Sequence, residues 1–104
     1  MLNTIKKLLG LEPSANFKEL REQGAVILDV RSAAEFNSGH IQGAVNIPLD
    51  RLGSNIKKIQ GWNKPVITCC LSGTRSGMAT SMLRKSNVDV YNGGGWATLH
   101  QRLK

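Results

Sequence analysis

Two adjacent cysteines, Cys69 and Cys70, stand at the end of an apolar run, Val66-Ile67-Thr68, and just before Leu71-Ser72-Gly73-Thr74-Arg75-Ser76. The β-branched run has the composition of a buried strand. Beyond the loop, Met78, Ala79, Met82 and Leu83 recur at helical spacing and predict a core-facing helix, with Ser76 as its N-cap. A thiol is thereby set where a strand ends and a helix begins. Backbone N–H groups at a helix start are unpaired and carry partial positive charge. A cradle of that kind binds anions, and a thiolate is an anion. Arg75, five residues after Cys70, can face back into the same loop. These residues describe an activated cysteine nucleophile, Cys70, facing an anion pocket.

The elements that must position this loop can be read along the chain. Leu2, Ile5, Leu8 and Leu9 fall on one helical face with Lys6 and Lys7 opposite, which predicts an amphipathic extension over 1–14 ahead of a single domain over 15–104. Asn16 to Glu19 has the form of a capping box, and Gly24 suits the end of that helix. Ala25-Val26-Ile27-Leu28 is a continuous apolar run, expected of a strand covered on both faces. It ends in Asp29-Val30-Arg31. Ser32 to Glu35 forms a second capping box, and Gly39 closes the short helix that follows. Val45 to Ile47 reads as a short strand before Pro48. Asp50 is placed to cap a helix carrying Leu52, Ile56 and Ile59, weakened by Gly53. Val88-Asp89-Val90-Tyr91 reads as a strand, Asn92-Gly93-Gly94-Gly95 as a tight turn, and Trp96, Leu99 and Leu103 as one face of a last helix. Alternating strands and helices predict an α/β domain with a central, mainly parallel sheet flanked by helices. Ligands of such sheets bind beyond the carboxyl ends of the strands, where Asp29, Arg31 and the Cys70 loop all fall.

Composition narrows the functional classes. The chain has 104 residues, 40% hydrophobic and 20% charged, with a net charge of +7. No apolar run is long enough to span a bilayer, and the N-terminal Leu8-Leu9-Gly10-Leu11 is too short for a signal-peptide core, so a cytoplasmic protein is expected. Adjacent cysteines seldom bridge, and two cysteines without a nearby His make no zinc site; neither metal nor cofactor is expected. Residues 51–88 hold seven Lys and Arg and no Asp or Glu, while the other seven cations and the seven carboxylates cancel. The whole excess lies on the segment that carries the loop. It would steer an anionic substrate or an acidic partner, or else form a solvated basic face. Nucleic acid is disfavoured, because no aromatic-rich basic stripe accompanies the charge.

Asp29-Val30-Arg31, Glu35, Gly39-His40-Ile41, Gly43-Ala44 and Asn46-Ile47-Pro48 together resemble the N-terminal signature of rhodanese-like domains. Cys70-Leu71-Ser72-Gly73-Thr74-Arg75-Ser76 resembles their C-x-x-G-x-R-S active-site loop, and Tyr91-Asn92-Gly93-Gly94 with Trp96 their C-terminal motif. The resemblance covers about residues 15–100. It implies a rhodanese-like α/β domain and a sulfurtransferase in which Cys70 carries sulfane sulfur as a persulfide. The donor would be thiosulfate or a persulfide, and the acceptor a thiol or cyanide. Leu71, Ser72, Gly73, Thr74, Arg75 and Ser76 would bind the substrate, with Arg75 holding the donor's anionic end. Asp29, Arg31 and His40 would give structural support, the first two as a brace and His40 by packing and a backbone hydrogen bond.

Two other functions compete. Counted from Cys69, the loop reads C-x5-R, the length found in phosphatases and arsenate reductases of related fold. Thr68 in place of a preceding His, and the lack of a loop carboxylate to act as general acid, oppose that reading. The domain could also serve as a sulfur-relay or protein-binding module, with the basic excess as its docking face. Cys69 itself is expected to be a buried strand residue, with a resolving thiol as the alternative.

Overall fold

The computed structural model describes residues 16–104, so the expected amphipathic extension over 1–14 lies outside the described residues. The first helix, α1 (Phe17–Glu22), starts at Asn16, whose Oδ1 accepts the Glu19 N–H at 3.0 Å. It ends at Gly24, which takes a left-handed φ of 104°. Strand β1 (Val26–Asp29) follows, then α2 (Ala33–Ser38), opened by a complete capping box between Ser32 and Glu35. A two-residue strand, β2 (Val45–Asn46), leads into two 3-10 turns, Leu49–Arg51 and Gly53–Asn55, and the short α3 (Ile56–Gln60). The helix expected from Asp50 is therefore α-helical only over its last five residues. Its earlier part is interrupted at Gly53, and no side chain caps either 3-10 turn. Strand β3 (Val66–Cys70), α4 (Thr74–Lys85), β4 (Val90–Gly95) and α5 (Trp96–Arg102) complete the order.

The four strands form one sheet in the order β2-β1-β3-β4, with every pairing parallel. Side chains alternate across a strand, and β3 shows what this does to the two cysteines. Cys70 joins Leu28, Val30, Val66 and Val90 in a core covered by Leu52 and by Ile59 of α3 and Ala79 and Leu83 of α4. Ile67 and Cys69 point the other way, into a core closed by Phe17, Ile41, Leu99 and Leu103. The adjacent thiols thus lie on opposite faces of the sheet, and only Cys70 is on the side of α4.

Three readings of the sequence are corrected here. The Asn92-Gly93-Gly94-Gly95 segment is the continuation of β4, with an irregularity opposite Thr68–Cys70, and not a turn between elements. A Cβ on Gly93 would lie 2.6 Å from the Thr68 carbonyl oxygen, and one on Gly95 would lie 2.8 Å from that of Leu71. The glycines let β4 run close against β3 and its loop. Secondly, Met78 and Met82 are exposed, at 56% and 36%, and are not core. The sheet-facing side of α4 carries Ser76, Ala79, Thr80 and Leu83. Its two hydroxyls have partners: Thr80 Oγ1 lies 2.8 Å from Thr68 Oγ1 and donates to the Ser76 carbonyl at 2.7 Å, and Ser76 Oγ donates to Asn92 Oδ1 at 2.8 Å. Finally, Gly73, with φ of 106°, holds the position before α4 where Ser76 was expected; Ser76 sits inside the first turn.

Candidate active site

Strand β3 carries Cys70 to the carboxyl end of the sheet as its last residue, and the chain then curls through Leu71–Gly73 into α4. The curl brings the first amides of the helix back over the thiol. Cys70 Sγ accepts the Gly73 N–H at 3.0 Å and the Ser76 N–H at 3.3 Å, and lies 3.4 Å from Ser76 Oγ. A left-handed residue is needed at 73 to make this curl, and glycine adopts that conformation without a Cβ clash. Burial pushes the Cys70 thiol up. The Ser76 hydroxyl and the amides of Ser76, Gly73 and Ser72 outweigh it, so the pKa lies below the ordinary value. Cys70 is 1% exposed, so the sulfur is covered in this structure.

The hydroxyl of Ser76 is itself oriented by Asn92. Asn92 Oδ1 accepts from Ser76 Oγ at 2.8 Å and from the Gly94 N–H at 2.9 Å. Sequence reasoning missed Asn92, having assigned it to a turn. The register that pairs Thr68 with Asn92 puts it beside the cradle. Of the six loop residues expected to surround a substrate, Gly73 and Ser76 direct hydrogen bonds at the sulfur, and the Ser72 amide contributes to holding its pKa down. Leu71 and Thr74 are exposed at the rim.

Arg75 does not turn into the cradle. Its guanidinium faces α2, where Nη1 and Nη2 donate to Glu35 Oε1 and Oε2 at 2.7 and 2.9 Å. Glu35 Oε1 also accepts the Ser32 N–H and hydroxyl at 3.1 and 3.0 Å. Arg75 first, and Ser32 with it, hold the Glu35 carboxyl down to about 2. This partnership was not foreseen from the sequence, where Glu35 was read as part of a capping box and of the N-terminal signature.

Asp29 and Arg31 form a second, buried ion pair. Arg31 Nε lies 3.0 Å from both Asp29 carboxylate oxygens, and Nη2 is 2.8 Å from Oδ2. The same Nη2 donates to the Gly39 carbonyl at 2.6 Å, and the guanidinium lies 4.8 Å from the Trp96 ring centre. Asn46 Nδ2 adds bonds to the carbonyls of residues 29 and 31, each at 3.0 Å. His40 is exposed, stacks on Phe36 with ring centres 3.6 Å apart, and donates Nδ1–H to the Phe36 carbonyl at 2.7 Å. Cys69 is fully buried, and burial with the nearby Asp29 charge pushes its thiol up to about 12.

No group of three His, Cys, Asp or Glu among the described residues could hold a metal ion. A groove of about 430 Å³ opens at the opposite end of β3 and β4, lined by residues such as Ile59, Lys64 and Asp89, and shares no residue with the cradle. None of the described helices is long and apolar enough to cross a membrane.

The family model for the rhodanese-like domain matches residues 14–98. An uncharacterized protein of Bacillus subtilis, YqhL, is 44% identical over 69 residues, 65% of this chain and 54% of the relative. Thiosulfate sulfurtransferase GlpE of Pseudomonas savastanoi pv. phaseolicola is 36% identical over 81 residues, 77% of this chain and 76% of that one. Among solved structures, a rhodanese with anions from E. coli superposes with a TM-score of 0.65 at 31% identity, covering 72% of this chain and 91% of its own. The chain spans about half the length of the first curated relatives it matches.

Proposed function

The chain belongs to the rhodanese-like family, and from that premise we propose that it is a sulfurtransferase in which Cys70 carries sulfane sulfur between a small anionic donor and a thiol or cyanide acceptor. The observation that carries the proposal is the set of amides closing on Cys70 Sγ from the start of α4. A thiolate held in this way attacks the outer sulfur of thiosulfate. A sulfur–sulfur bond forms to Cys70, the donor's own sulfur–sulfur bond breaks, and sulfite leaves with the electron pair. The product is a Cys70 persulfide whose terminal sulfur is again an anion. The Ser72, Gly73 and Ser76 amides are suited to hold it, and the rim residues Leu71 and Thr74 would frame the donor's approach.

Arg75 enters this scheme in competition. An anionic donor that reaches the rim must share the guanidinium with Glu35 or displace that carboxylate. Asp29 and Arg31 act at a distance, by fixing the ends of β1 and α2 that frame the loop, and His40 by closing the turn after α2. A reducing compartment such as the cytoplasm suits a nucleophile that must stay a thiolate.

The alternative built on Cys69 finds no support in the geometry. That thiol lies on the far face of the sheet, without helix amides, and is pushed up to about 12. The test is the intact mass of the protein after thiosulfate, before and after dithiothreitol. A gain of about 32 Da that a thiol removes is expected, one sulfur atom held by a reducible bond. Cys70→Ser should abolish the gain and Cys69→Ser should keep it. A gain that survives in Cys70→Ser would sink the proposal.

A further inference from the structure

Asn92 stands on β4 opposite Thr68, and its Oδ1 accepts the Gly94 N–H at 2.9 Å. A backbone N–H can only donate, so the atom that faces it is the amide oxygen and not the amide nitrogen. Ser76 Oγ lies 2.8 Å from the same oxygen, and its hydroxyl must therefore be the donor in that bond. The hydroxyl has one proton and three neighbours that could take it. Asn92 Oδ1 is at 2.8 Å, the Gly73 carbonyl at 3.1 Å and Cys70 Sγ at 3.4 Å. The Gly73 carbonyl already accepts the Gly77 N–H at 3.0 Å, which leaves Asn92 as the nearest and best acceptor.

While Cys70 is a thiol, the donors run in one direction: S–H to Ser76 Oγ, and Ser76 O–H to Asn92. Loss of the thiol proton reverses the demand at one end. A thiolate only accepts, and with the hydroxyl still turned to Asn92 it would face the lone pairs of Oγ at 3.4 Å. The hydroxyl serves the anion only by rotating toward it, and Asn92 then keeps the Gly94 N–H alone. The Gly73 and Ser76 amides need no such change, because a backbone N–H keeps its direction whichever form the sulfur takes. The cradle has a fixed part and one movable proton.

We propose that Asn92 is a positioning residue for the nucleophile: its carbonyl holds the Ser76 hydroxyl away from Cys70 while the sulfur is a thiol, and yields it when the sulfur is an anion. No proton passes between the three side chains. The thiol proton goes to solvent, and the Ser76 proton stays on its oxygen and changes the atom at which it points. On the sulfurtransferase reading, the hydroxyl turns to Sγ as the thiolate attacks the donor. It returns to Asn92 in the persulfide, where the charge has moved to the terminal sulfur. The charged groups around the cradle have other partners. Arg75 on α4 is paired with Glu35 of α2, Asp29 and Arg31 are paired at the end of β1, and Cys69 faces the other side of the sheet. None of these side chains is a hydrogen-bond partner of Ser76, whose hydroxyl meets Cys70, Gly73 and Asn92. Glu35, held down to about 2, and Cys69, pushed up to about 12, each keep one form while Cys70 titrates.

The test is the midpoint of Cys70 alkylation, read peptide by peptide over a pH series in the full chain, with and without Ser76→Ala in three backgrounds. Each pair shares its residue at position 92, so that residue's effects on burial and charge cancel within the pair and the difference reports the hydroxyl. In the parent, Ser76→Ala should raise the midpoint by about half a pH unit, since the hydroxyl must leave one acceptor to serve another. In the Asn92→Leu background nothing on β4 competes, and the rise should grow to about one pH unit. In the Asn92→Asp background the carboxylate can keep both bonds and hold the hydroxyl more strongly, and the rise should shrink below about 0.2 of a pH unit. A rise of equal size in all backgrounds, or the reverse order, would overturn the proposal. Should the Asn92→Leu protein fail to fold, the comparison of the parent with Asn92→Asp decides alone. These titrations use no sulfur donor, so a protein that shows the expected order but takes up no sulfur from thiosulfate would lose the sulfurtransferase reading and keep the role of Asn92.

Discussion

At the scale of single residues, the site is a contrast between neighbours. Cys69 and Cys70 differ by one position, and therefore by one face of the sheet. The pKa of Cys70 is held below the usual thiol value and that of Cys69 is raised to about 12. Only a thiolate is alkylated, so Cys70 should react with iodoacetamide at neutral pH, and its rate should fall on acidification through one midpoint below the unperturbed value of about 8.5. Restricted access to the sulfur scales the rate without moving that midpoint. Peptide-resolved alkylation across a pH series checks this, and a Cys70 midpoint at or above the free-thiol value would refute the cradle. This much was legible in the sequence, because a strand end, a glycine and a helix start within seven residues are local features. The partner of Arg75 was not, since Glu35 lies 40 residues away and meets it only when α2 packs beside α4. Glu35→Gln separates the roles of that carboxylate: the amide oxygen can still accept from Ser32, but the charge on Arg75 is left unmatched. The KM for the dianion thiosulfate should fall by about threefold, the size expected of a partly exposed charge pair, with the KM for an uncharged organic trisulfide unchanged. Equal changes for both donors would mean that the pair only braces the loop.

At the scale of elements, the parallel order followed from alternating apolar runs and capping boxes, whereas two faces were misread for physical reasons. Helical spacing alone put Met78, Ala79, Met82 and Leu83 on one stripe. The sheet in fact takes Ala79 and Leu83 with Ser76 and Thr80, because Thr68 on β3 partners the Thr80 hydroxyl and Asn92 on β4 that of Ser76, groups that a hydrophobicity pattern scores as exposed. The glycine run after Tyr91 has turn composition, but small size and not backbone freedom decides its place beside β3. The two explanations predict opposite orders of damage. A Cβ on Gly93 meets the Thr68 carbonyl at 2.6 Å, Leu99 Cδ2 at 2.8 Å and Ile67 Cγ2 at 2.9 Å. Gly94 has nothing within 4 Å and only its φ of 77° to lose. Gly93→Ala should cost about 3 kcal/mol by overpacking, and Gly94→Ala about 1 kcal/mol by backbone strain. Urea denaturation of the two variants decides between them, and the reverse order would restore the turn.

At the scale of the whole molecule, the carboxyl ends of the strands are tied together by the buried pair of Asp29 and Arg31. One guanidinium reaches the end of β1, the Gly39 carbonyl after α2 and the face of Trp96 at the start of α5. Asn46 on β2 fastens the backbone on either side. The sequence places both charges after a buried strand, but their sharing of one site with Gly39 and Trp96 arises only from the assembled fold. Removal of Arg31 alone leaves Asp29 as a carboxylate at 0% exposure without its counter-charge. Breaking a buried pair in this way costs about 3–5 kcal/mol, a large part of the roughly 5–15 kcal/mol that holds a typical domain folded. Arg31→Ala should therefore lower the denaturation midpoint severely. The double variant Asp29→Leu, Arg31→Met replaces both charges by apolar groups and should recover much of the loss, because no charge is then stranded. Chemical denaturation of the parent, the single and the double variant measures both steps. A single variant that loses less than about 1 kcal/mol would show that water reaches the Asp29 carboxylate, and that the tie across the strand ends is held by Asn46 and the backbone instead.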